Sequence, residues 1–166
     1  EFFLQLRLLD RENLLKKEDA RVEQRMLSLN PQTRLYGLEL SHKDAAALAA
    51  TRRNALKESG RLEFGPSVLE KIILKFSRSE YLYSYNYVPV LENLVETFFL
   101  LKSELYDRVS DDRLIDFLFE SFERNRGSMK MFEGREVDAL RRRLSCLEVE
   151  EPEPEEPEEE GEDEGQ

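Results

Sequence analysis

The chain has 166 residues, 36 of them acidic and 25 basic, and a formal net charge of −11. That length holds one domain, and the charge is unevenly spread: twelve acids and no base lie in residues 148–166, leaving 24 acids against 25 bases in residues 1–147. A near-neutral body argues against a broad nucleic-acid surface, and the single cysteine, Cys146, excludes an internal disulfide and favours a reducing compartment.

The opening "EFFLQLRLL" is apolar, but charge returns at Arg7, Asp10 and Arg11. It is too short to span a membrane and lacks the small-residue cleavage site of a secretory signal, so a cytoplasmic location is expected. The first residue is not Met, so residues are expected to have been removed or left out ahead of it. Between Phe2 and Leu29 there is neither Gly nor Pro, and Leu8, Leu15, Val22 and Leu29 recur every seven residues, with Leu4 and Met26 on the same side. The pattern predicts one amphipathic helix, or two with a break near Asp10. Asn30-Pro31 ends it, because proline disfavours helical geometry in the residue before it.

"LYGLEL" is too short and too interrupted by glycine for a helix. Ser41 reads as an N-cap with Asp44 in the capping-box position, and the helix it opens runs to about Ser59 with Gly60 as its stop. Its stripe is Ala45, Leu48, Ala49, Arg52, Ala55 and Leu56, apolar except for Arg52. The short pieces "GLEL" (37–40) and "RLEF" (61–64) flank this helix and could pair as a small two-stranded ribbon. Gly65-Pro66 opens a third helix with Leu69, Ile72, Ile73 and Phe76 facing inward.

"YLYSYNYVP" (81–89) sets a tyrosine at every second position. A strand there lacks partners of comparable length, and a base-stacking platform would need basic residues among the rings. The stretch is expected to be a loop that delivers Tyr87 to the head of a fourth helix, whose seam is Tyr87, Leu91, Leu94, Phe98, Leu101 and Leu105. Ser110 with Asp111 and Asp112 marks a fifth start, backed by Leu114, Ile115, Leu118 and Phe122. "RNRGS" then breaks the chain, Ser128 can cap again, and Val137, Leu140, Leu144 and Leu147 carry a last helix. The fold expected is all-α: a compact bundle of about six helices over residues 1–147, with residues 148–166 as a disordered acidic tail. From Glu150 on that tail has no apolar side chain to offset an ordering cost of about 1–2 kcal/mol per residue.

No catalytic or metal-ligating motif appears. His42 has no second His or Cys beside it, and Cys146 has no His or helix N-terminus to activate it. "RRR" at 141–143 reads as a solvated helix C-terminus, where cations complement the dipole, with a phosphate contact as the alternative. Arg52, Arg61, Glu63 and Lys102 are harder to assign to a plain surface. A buried Arg or Lys needs a partner, and Glu63, Glu104, Asp111 and Asp112 can supply one. The cluster is therefore either an ion-pair network locking the bundle or a polar pocket for a small anionic metabolite. Tyr81, Tyr83 and Tyr85 are candidate contacts for a protein partner, since tyrosine is enriched in interface hot spots. The seam at 87–105 is long enough to serve a homodimer. No cofactor and no membrane partner is implied.

The strings "LNPQTRLYGLELSHKDAAALAATRRNALKESGRLEFG", "SEYLYSYNYVPVLENLVETFFLLKSEL", "SDDRLIDFLFESF" and "GSMKMF" carry a resemblance. Over roughly residues 25–145 the chain resembles a family of small uncharacterised bacterial proteins, a domain of unknown function found mainly in Gram-positive anaerobes. The resemblance implies a compact helical cytoplasmic protein with no catalytic residue to carry over. Its recurrent positions match Tyr36, Gly37, Arg52, Gly60, Arg61, Glu63 and Phe64, then Tyr81, Tyr87, Lys102 and Glu104, then Asp111, Asp112, Gly127 and Ser128. The acidic tail departs from its pattern. The reading that follows is a non-enzymatic protein-interaction module, with a small-anion binder as the alternative.

Overall fold

A computed structural model describes residues 2–63, 67–105 and 108–147. Expectations for Phe64, for Gly65-Pro66 and for the tail at 148–166 fall outside these residues. Six long helices and one single-turn helix account for most of the rest, and no strand occurs among the described residues. Nor is any helix there long and apolar enough to cross a membrane.

Helix α1 is Phe2–Ser28, unbroken at Asp10. At 1.5 Å per residue it is about 40 Å long. Its last third reaches the core through Val22 and Met26, while Leu4 near its start is 65% exposed. The proline at position 31 ends α1 as anticipated, but a single turn follows at once, α2 (Asn30–Thr33), with the proline in its first turn. A 3-10 turn at Arg34–Tyr36 closes on Gly37, whose φ of 75° suits a residue without Cβ.

The ribbon does not form: residues 38–41 and 61–63 are irregular. Their backbone groups are satisfied locally instead. The Asn30 side chain donates to the Leu40 carbonyl and accepts from the Leu40 N–H, both at 2.9 Å, and the Leu38 N–H donates to the Thr33 carbonyl. The Arg61 N–H donates to the Leu56 carbonyl as part of a helix C-cap. With those groups engaged, Leu38 and Leu40 are pinned into the core as plugs.

Helix α3 (His42–Ser59) starts at Ser41 with a full capping box to Asp44 and stops at left-handed Gly60. Helix α4 (Val68–Phe76) is capped by Ser67, and α5 is Tyr87–Glu104. Helix α6 (Asp111–Arg124) takes its cap from Ser110. Ser128 caps a 3-10 turn at Met129–Phe132, and α7 (Gly134–Leu147) begins only after it.

Helix α3 packs on α5 and on α1, while α4 packs on α5 and α6. The seam expected on α5 is fully buried from Tyr87 to Leu105. Those side chains pack within the chain. Phe76 of α4 meets Phe119 and Phe122 of α6 edge-on at 5.3 and 5.6 Å, a favourable aromatic geometry. Cation–carboxylate pairs staple the outer surface: Lys71–Asp112 at 3.0 Å and Lys75–Asp116 at 3.1 Å join α4 to α6. These exposed pairs contribute little each.

Candidate functional site

Three of the four polar residues picked from the sequence share one small cleft. Arg61, Glu63 and Lys102 line a space of about 180 Å³ together with Asp111, Val68 and Phe98. Arg52 stands behind it, 1% exposed, in the apolar seam of α3.

The local physics of each group is legible. A guanidinium at Arg52 cannot reach water from that seam, so it is neutralised in place: its Nε donates to Glu63 Oε1 at 2.9 Å. The second Glu63 oxygen accepts from the Val68 N–H at 3.1 Å, an orphan donor in the first turn of α4. Glu63 thus ties α3 to α4 with both oxygens. Nη1 of Arg52 is buried and has no hydrogen-bond partner. Lys102, 7% exposed, pairs with Asp111 at 2.9 Å and donates to the Val109 carbonyl, which ties α5 to the head of α6. Arg61 donates to the Lys102 carbonyl at 3.3 Å.

Of the four carboxylates considered as partners, Glu63 and Asp111 meet the buried cations. Glu104 pairs with Arg141 of α7 at 2.7 Å, and Asp112 pairs with Lys71. Arg141 also reaches Asp138, and the guanidinium of Arg143 lies over the Phe117 ring at 5.3 Å, so two members of "RRR" brace α7 against the bundle. One half-buried pair was not foreseen: Asp19 of α1 binds Arg53 of α3. Burial raises the Asp19 carboxyl above its usual range, against the pull of Arg53. Nothing local marks Asp19, because its partner is 34 residues away.

The tyrosine stretch is a loop between α4 and α5. Asn86 organises it: its side chain accepts from the Tyr83 N–H at 2.7 Å and donates to the Tyr81 carbonyl at 3.1 Å. Tyr81 is half-buried, packs on the core and abuts the turn at Gly127. Tyr83 and Tyr85 point outward, 50% and 80% exposed, with rings stacked 5.6 Å apart and 5° from parallel. Tyr87 is buried, and burial pushes its hydroxyl up to about 12. That hydroxyl lies near Thr33 without a well-formed hydrogen bond.

An all-helical body locked by ion pairs at its helix junctions, with an exposed aromatic pair on one loop, defines a small helical domain. A family model described as a family of unknown function (DUF6323) matches residues 25–148, most of the chain. The chain belongs to that family. No curated protein and no solved structure matches it.

Proposed function

We propose that the chain is a non-enzymatic protein-interaction module whose contact surface is the Tyr83–Tyr85 pair. The observation that supports this reading is that two large rings are held stacked in solvent, on a loop whose backbone Asn86 has already ordered. Large amphipathic rings fixed before binding lose little entropy on contact, which suits them as anchors. Tyr81 serves this surface as its root. The test is affinity capture with cross-linking, comparing the wild-type chain with Tyr83→Ala/Tyr85→Ala. Loss of a specific partner, at an unchanged urea midpoint, is the expected result. A double variant that retains the same partner at the same affinity would sink the reading.

The alternative, a binder of a small anionic metabolite through Arg52, Arg61, Glu63 and Lys102, has the 180 Å³ cleft in its favour. Against it, Arg52 and Lys102 are already neutralised by carboxylates of the chain itself. It predicts a metabolite that raises the melting temperature of the wild-type chain but not of Arg61→Ala.

A further inference from the structure

A second cleft, between α3 and α5, has the opposite character. It is the larger of the two at about 370 Å³, within the size range of small-molecule sites. Its apolar lining is Ala55, Phe99 and Leu100, with Phe99 shared between the two clefts. One exposed carboxylate stands on each helix, Glu58 on α3 and Glu96 on α5. Neither has an ion-pair partner among the described residues, and no Lys or Arg among them lines the space. The contrast with the outer surface decides its meaning, because in the groove between α4 and α6 Lys71 and Lys75 already hold Asp112 and Asp116.

Two further observations bear on what it takes. The Ser103 hydroxyl, part of the lining, is buried and lacks a hydrogen-bond partner. A buried hydroxyl left in that state carries a penalty that a ligand's polar group would remove. One turn before Glu96, the Glu92 carboxyl is raised by burial and then by the charge of Glu96.

We propose that the α3–α5 cleft binds a small organic ammonium, its charged head between Glu58 and Glu96 and its apolar body against Phe99 and Leu100. The selectivity is a matter of matching: a cation relieves two unpaired carboxylates, a neutral molecule of the same shape relieves none, and an anion is repelled.

The test uses the full-length chain and 2-phenylethylammonium as probe, followed by amide chemical-shift titration. Saturable shifts confined to residues 51–59 and 96–103 are expected, with 2-phenylethanol binding much more weakly and 3-phenylpropionate not at all. Glu58→Gln/Glu96→Gln should weaken the ammonium about tenfold or more. Both side chains are exposed, so the variant should fold normally, and an unchanged amide spectrum without ligand verifies this. Phe99→Leu should weaken the ammonium and the alcohol alike. The proposal is overturned if the ammonium gives no saturable shifts, if they map elsewhere, if the alcohol binds equally well, or if the double variant binds as tightly as wild type.

Discussion

Arg52 shows how a single residue can break a local rule and be repaired from a distance. It sits where the α3 stripe calls for an apolar side chain, and Glu63 repairs the conflict across eleven residues. Removing only the carboxylate leaves a buried guanidinium with no counter-charge. Glu63→Ala is therefore expected to cost about 3–5 kcal/mol, whereas Arg52→Met with Glu63→Gln should cost markedly less. Urea denaturation of the two variants checks this, and equal losses would show that the pair is not an electrostatic unit.

Tyr87 gives a second prediction at the same scale. Its folded-state pKa is raised from 10 to about 12, so the stability held by its neutral form is fully present below pH 10 and is lost as pH rises through about 12. Tyr87→Phe removes the ionisable, unpartnered hydroxyl. It should be near-neutral or slightly stabilising at neutral pH, and should flatten the alkaline loss of stability relative to wild type. Urea midpoints measured on either side of the ordinary tyrosine value decide it.

At the scale of the element, the helices end where local chemistry says they should. The Ser41–Asp44 box and Gly60 bound α3, and Ser110 with two carboxylates opens α6. The turn after α6 is different, because its geometry depends on a neighbour. Gly127 has φ +71°, and a Cβ there would run into the Cβ of Tyr81. That contact joins the α6–α7 turn to the root of the tyrosine loop. Gly127→Ala is expected to destabilise by about 2 kcal/mol or more, combining left-handed strain with overpacking. Thermal unfolding tests this, and a loss of only a few tenths would mean that the two loops can move apart.

For the whole molecule, the charge is divided between a balanced body and a terminal segment with twelve acids. A chain ending at residue 147 is expected to keep the full-length urea midpoint to within about 0.5 kcal/mol while its net charge moves from −11 to about +1. Equilibrium unfolding and isoelectric focusing report the two halves of that statement separately. A larger loss would mean that residues 148–166 pack on the body.

Helix number, caps and inward faces were readable because the signals are local: a capping residue, a 3.6-residue period and a glycine stop act within one or two turns. So were the odd cations in apolar seams, Arg52 and Lys102, because a charge in such a stripe is visible in one dimension. What those cations meet was not. Glu63 and Asp111 were two candidates among four, and Asp19–Arg53, the Asn30 bracket on Leu40 and the presence of both Glu58 and Glu96 at one cleft depend on which helices lie side by side. The sequence by itself determined that this chain is a helical bundle with polar groups in its seams. Only the tertiary structure decided which of those groups cancel inside the bundle and which remain uncancelled at a cleft, because pairing energies depend on distances in space that no local period encodes.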